Sequence, residues 1–145
     1  MSQRRVVVTG LGIVSPVGLS IVDAWDNITS GRSGIRPITS FDVSDFSVRF
    51  GGTIEGFDVS EYVAKKDARK MDIFLHYGVA AGIQAFRDAG LVVSEQNAER
   101  IGVSIGSGIG GLLGIEKNYD AYKNGGPRKI SPFFAPSSIT NMISG

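Results

Sequence analysis

The residues of this chain that could do chemistry are few, and the densest stretch runs from Glu99 to Leu113, Glu-Arg-Ile-Gly-Val-Ser-Ile-Gly-Ser-Gly-Ile-Gly-Gly-Leu-Leu. Gly102-Val103-Ser104-Ile105-Gly106 fits G-x-S-x-G, the turn that lifts a nucleophilic serine above a sheet. Gly106-Ser107-Gly108-Ile109-Gly110-Gly111 fits G-x-G-x-x-G, the turn that cradles a dinucleotide pyrophosphate. Each pattern needs a context that is missing. An elbow serine sits on the turn after a strand and is followed by Asp and then His, but Ser104 falls inside the apolar run, and the single histidine, His76, precedes it. A dinucleotide fold places an acidic residue about 20 residues on, where this chain has Lys123-Asn124-Gly125-Gly126. One histidine without partners supports neither proton relay nor metal binding, so a packed or hydrogen-bonded His76 is the ordinary reading.

Two further groups stand out. Lys65, Lys66, Arg69 and Lys70 form one basic cluster, and Arg128-Lys129 a second. No aromatic residue interleaves with them, so base stacking on nucleic acid is unsupported; taken alone, such clusters are usually solvated faces. Phe133-Phe134 lies between Pro132 and Pro136. Phenylalanines on a loop are costly to leave wet, so they serve either as packing or as the lining of an apolar pocket or subunit interface.

The elements that must position these residues follow from patterning. Arg5–Thr9 is a continuous β-branched run ending at Gly10, the mark of a strand buried on both faces. Ser20 is placed to cap a helix over residues 21–29, with Ile21, Trp25 and Ile28 on one face and Gly31 and Gly34 after it. Residues 46–57 alternate around Gly51-Gly52 and predict an irregular hairpin or bent edge strand. Residues 67–89 predict the longest helix. Its slim middle, Gly78-Val79-Ala80-Ala81-Gly82, would let another backbone come close, and Gly90 would stop it. The run before Gly106 predicts a strand, and residues 112–123 a helix. Asn124 to Pro127 predicts a loop, residues 130–136 a rigid extended segment, and Ser137 or Ser138 the cap of a last helix over residues 139–143.

Composition sets the bounds. A chain of 145 residues, 42% hydrophobic and 20% charged, is globular in character and can bury a core. Net charge is +1, so any basic function must be local. There are no cysteines, which excludes disulfides, thiolate metal sites and a cysteine nucleophile within these residues. No stretch approaches the roughly 18 apolar residues of a spanning helix. Arg4-Arg5 before Val6–Val8 imitates a signal peptide, but Gly10, Gly12 and Pro16 break the run early, so the expected location is cytoplasmic. Strand–helix alternation predicts an α/β fold with a partly parallel sheet, forming one domain or part of one.

Several individually weak signals then converge. Arg4-Arg5-Val6-Val7-Val8-Thr9-Gly10-Leu11-Gly12 with Ser15-Pro16-Val17-Gly18 resembles the start of the β-ketoacyl-[acyl-carrier-protein] synthases, closest to their synthase II branch. The likeness continues through Gly31-x-Ser33-Gly34-Ile35, Arg69-Lys70-Met71-Asp72-x-Phe74, Tyr77-Gly78, Asp88-Ala89-Gly90-Leu91, Ile105 to Leu112, Asn124 to Phe134 and Asn141-Met142, so it spans essentially the whole chain in order. The resemblance implies a thiolase-like fold of two βαβαβαββ halves layered α-β-α-β-α. Residues 1–145 would be most of the first half only, an apparently truncated N-terminal synthase domain. It also implies an acyltransferase of fatty acid biosynthesis, a homodimer that elongates acyl chains by decarboxylative condensation with malonyl units on acyl carrier protein, using no cofactor or metal.

In that family a cysteine at a helix N-terminus takes the acyl group, and two histidines promote decarboxylation and hold the oxyanion. None of the three is present here, and His76 matches neither histidine. The chain alone is therefore expected to be inactive. What carries over by position is Ile109 as the gate of the acyl tunnel and Phe134 as the residue reaching toward the partner subunit's acyl pocket. Lys66, Arg69, Lys70, Arg128 and Lys129 carry over as the surface that meets the carrier protein. The last has independent physics, since a local basic patch steers an acidic partner even at near-zero net charge. Two other readings stay open: an authentic short, non-catalytic protein that binds a carrier or a synthase, and a dinucleotide-binding oxidoreductase domain.

Overall fold

The structure is a computed structural model that describes residues 3–145. The chain divides into two compact units: residues up to Asp58 together with Ala81–Leu91, and Val59–Ala80 together with Val92–Gly145. Its regular elements are α1 (Ile21–Thr29), β1 (Ile35–Pro37), β2 (Phe50–Gly52), α2 (Lys65–Ala68), α3 (Ile73–Asp88), α4 (Leu112–Gly125) and α5 (Phe134–Ser138), joined by short 3₁₀ turns. Helix α3 contributes to both units.

In the first unit the local signals hold. Ser20 caps α1 by accepting from the Asp23 N–H at 3.2 Å. Gly31, at φ +68°, ends the helix, with Arg32 N–H donating to the Asn27 carbonyl at 2.8 Å and Gly31 N–H to Ile28 at 3.1 Å. Those two bonds close the last helical carbonyls in a Schellman motif. The expected hairpin is an antiparallel pair, Ile35 opposite Gly52 and Pro37 opposite Phe50. Gly10 and Gly12 lie directly on the backbone of residues 81–89, because a Cβ on Gly10 would overlap Ala85 and Ala89 and one on Gly12 would overlap Ala81 and Ala85. That contact is the use of the slim helix middle. Leu11 N–H donates to Asp88 Oδ2 at 2.8 Å and Ile13 N–H to Gln84 Oε1 at 3.1 Å, so side chains satisfy the backbone donors that α3 itself cannot.

Two expectations fail in this unit. Arg5–Thr9 is not a strand, and Val6 is 88% exposed. A strand exists by its ladder, and the described residues give this run no partner. On α1 the buried residue is Ala24, while Trp25 and Ile28 are exposed.

In the second unit the long helix expected over residues 67–89 is broken. Helix α2 ends at Ala68 and α3 begins at Ile73. His76 bridges the break, its Nε2 2.9 Å from the Ala68 carbonyl, so the histidine is a hydrogen-bonded structural residue. The far end of α3, which belongs to the first unit, stops as expected: Gly90 has φ +61°, and Gly90 and Leu91 N–H donate to Arg87 and Phe86. Ala68, Leu75, Ala80 and Ile143 are the buried apolar residues here, and Gly78 makes room for Ile143.

The run before Gly106 is also not a strand. Instead the Ser144 hydroxyl accepts from the Ile105 N–H at 2.9 Å and donates to its carbonyl at 3.0 Å, taking the place of a neighbouring strand at that residue. Helix α4 begins at Leu112 as expected but runs on through Asn124-Gly125, with Gly126 at φ +74° closing it. The segment around the phenylalanines is not extended: Phe134 opens α5, where Pro136 falls in the first turn, whose N–H groups need no helical partner. Ser137 and Ser138 lie inside α5, so the last turn, Thr140–Ile143, starts from Ile139 without a side-chain cap.

Candidate functional site

All seven residues singled out for a role lie in the second unit. Ile109 sits on a tip ahead of α4. Ser107 Oγ accepts from the Gly110 N–H at 3.0 Å, Gly110 has φ +80°, and Gly111 N–H donates to the Ser138 carbonyl at 3.1 Å. The N-cap position is Gly111, which has no side chain to cap the helix. Asp72 supplies the missing acceptor from another element, its Oδ2 2.7 Å from the Gly114 N–H, where a carboxylate also complements the helix dipole. The base of the tip is therefore pinned, while Ile109 itself is 68% exposed.

Asn118 fastens the phenylalanine segment to α4. Its Nδ2 donates to the Gly114 carbonyl and its Oδ1 accepts from the Ser131 N–H, both at 2.7 Å. Phe134 thereby lines an apolar groove of about 240 Å³ with Ile115, Tyr119, Tyr122 and Ile130. Ile109 lines no part of it.

The basic residues divide. Arg69 and Lys70 line a second cavity, of about 350 Å³, with Asp72, Lys117 and Phe133. Lys66, Arg128 and Lys129 lie outside it and are exposed. Lys70 is committed: its ammonium pairs with Asp67 Oδ1 at 2.7 Å and lies 5.8 Å from the centre of the Phe133 ring. The Lys70 hydrogen bond, then its charge, hold the Asp67 carboxyl below the ordinary aspartate range, with a smaller contribution from Lys66. Burial pushes the Tyr77 phenol up. Sequence reasoning missed Lys117 because it stands alone in α4; only its position on the face of that helix toward Arg69 gives it a role.

The two regular expressions dissolve in this geometry. The Gly110 and Gly111 amides that would face a pyrophosphate are spent on Ser107 and Ser138, and no strand precedes the glycines. Ser104 is exposed on an irregular segment, not on a strand-to-helix turn. Among the described residues no three His, Cys, Asp or Glu side chains gather where they could hold a metal ion, and no helix is long and apolar enough to cross a membrane.

Comparison with known proteins places this arrangement. Residues 3–145 match the family described as β-ketoacyl synthase, N-terminal domain, and the chain belongs to that family. Among named relatives it is 59% identical over its full length to 3-oxoacyl-[acyl-carrier-protein] synthase 2 of Vibrio cholerae, and 50% identical to the enzyme of the same name in Coxiella burnetii. The chain spans 35% of the length of each. Among solved structures, the ishigamide ketosynthase/chain length factor superposes with a TM-score of 0.76 at 28% identity, covering 92% of this chain and 34% of its own. A ketosynthase bound to a hexaketide and in complex with its type II polyketide acyl carrier protein superposes at 0.79 and 25% identity, covering 99% of this chain and 37% of its own. The fold is thus that of the thiolase-like ketosynthases, α/β in class, although the described residues form only one two-stranded sheet.

Proposed function

We propose that this chain is the N-terminal part of a cytoplasmic, homodimeric 3-oxoacyl-[acyl-carrier-protein] synthase of the synthase II branch. The whole enzyme would join an acyl thioester to a malonyl thioester, releasing carbon dioxide and extending the acyl chain on its carrier. The observation that carries this reading is 59% identity over every residue of the chain to an enzyme of that name. In it Ile109, exposed on a pinned helix start, is the apolar gate, and Phe134 borders the apolar surface presented to the partner subunit. Lys66, Arg69, Lys70, Arg128 and Lys129 form the docking face for an acidic carrier protein, and the ketosynthase in complex with its carrier supports that partner. The nucleophile and the two histidines are not among these residues, so the 145-residue chain carries docking without chemistry.

Titration with acyl carrier protein tests the docking half. Arg128→Glu or Arg69→Glu should each weaken binding about two- to ten-fold, mainly through a slower association rate that depends on salt. Lys70→Gln should matter less, because that ammonium already serves Asp67 and Phe133. Binding that ignores both charge reversals would sink the docking face.

A further inference from the structure

The cavity on the second unit has a charge arrangement that carrier docking does not require. Three cations line it, Arg69, Lys70 and Lys117, against one carboxylate, Asp72. Lys70 is balanced by Asp67 at 2.7 Å, and Asp72 is turned onto the Gly114 N–H at 2.7 Å. His76 is held by the Ala68 carbonyl. Arg69 and Lys117 come from different elements, face one cavity, and have no acidic partner among the described residues. Two uncompensated cations converging from separate elements are the electrostatic requirement of an anion site.

The rest of the lining narrows the ligand. Met71, Leu113 and Phe133 give the cavity an apolar wall, and about 350 Å³ is far more than one phosphate group fills. We propose that this cavity binds a phosphate monoester with an apolar body, its phosphate between Arg69 and Lys117 and its body against Leu113 and Phe133. Arg69 and Lys70 belong both to this cavity and to the docking face, so the two are told apart by Lys117, which is no part of that face, and by Arg128 and Lys129, which are no part of the cavity.

The test titrates the folded chain with phenyl phosphate and with inorganic phosphate at fixed ionic strength, read by phosphorus NMR or calorimetry. Phenyl phosphate should bind saturably and several-fold more tightly than inorganic phosphate. Lys117→Gln and Arg69→Gln should each weaken it about five- to ten-fold, the loss of one charge-assisted contact at a partly exposed site. Lys117→Arg should restore it, and Arg128→Gln should leave it unchanged. Circular dichroism checks that each variant folds, and Lys117, on the surface of α4, carries the test if Arg69→Gln does not. Non-saturable binding, equal affinity for the two phosphates, or equal weakening by Arg128→Gln and Lys117→Gln would each overturn the site. Carrier binding reports separately: Lys117→Gln should spare it and Arg128→Gln should not, so failure here and failure of the docking face look different.

Discussion

Gly108 and Gly111, on either side of Ile109, should respond in opposite ways to the same methyl group, and that contrast tests the pinned base of the tip. A Cβ on Gly111 would stand 2.7 Å from the Ser137 carbonyl oxygen, 2.9 Å from Ser138 Cα and 3.1 Å from Asp72 Cβ. The first two are backbone atoms and cannot swing away. Overpacking of that kind costs roughly 1–3 kcal/mol, and displacing Gly111 from the Ser138 carbonyl sacrifices a hydrogen bond worth about 0.5–1.5 kcal/mol. Restricting the unfolded chain returns about 0.4–1 kcal/mol, so Gly111→Ala should destabilise by about 0.5–4 kcal/mol. Gly108 is the reverse case: a Cβ there meets nothing within 4 Å, and its φ is not positive. Gly108→Ala should therefore be neutral or stabilising by up to about 1 kcal/mol. Denaturant unfolding measures both, and exchange of the Gly114 amide, held by Asp72, reports whether the helix start has come loose. Equal stability of the two variants, with Gly114 equally protected in both, would refute the pinned base.

Two further outcomes follow from the same structure. The Asp67 carboxyl is depressed by Lys70, so its contribution is present above the unfolded value of about 3.9 and is lost as pH falls through the lower folded value; a carboxyl-carbon titration of the native chain with its midpoint at or above the denatured one would contradict this. With Val6, Val7 and Val8 exposed at 88%, 68% and 79%, the isolated chain should bind a hydrophobic dye and self-associate, and a dye-silent monomer on a sizing column would count against it.

What the sequence disclosed was whatever depends on near neighbours. The Ser20 cap and the Gly31 and Gly90 stops each need only residues within one or two turns, and each stands where its residue type demands. The thin middle of α3 was also legible, since Gly and Ala in succession have few other uses. The break at residues 69–72 was not. Helical periodicity runs straight through Arg69-Lys70-Met71-Asp72, whereas at the break Asp72 turns to Gly114, 42 residues away, and His76 reaches back to Ala68. For the same reason the basic residues read as one cluster, whereas tertiary packing separates a committed Lys70 from an uncompensated Arg69 and adds Lys117.

The strand expectations failed for a different reason. Apolar β-branched runs state a preference, and a strand is a relation between two segments. Around Ile105 the preference is met by a single serine, Ser144, which closes one residue's donor and acceptor and leaves Val103 exposed. The backbone nevertheless follows a ketosynthase path over 92% to 99% of its length. That bears directly on the proposed gate. A gate needs a fixed hinge and a free edge, and the glycines divide in that way: Gly110 and Gly111 press against the 137–140 segment, while Gly106 and Gly108 have open space around them. Ile109 stands where the two regimes meet, so its position is held from the α4 side and its freedom comes from the other.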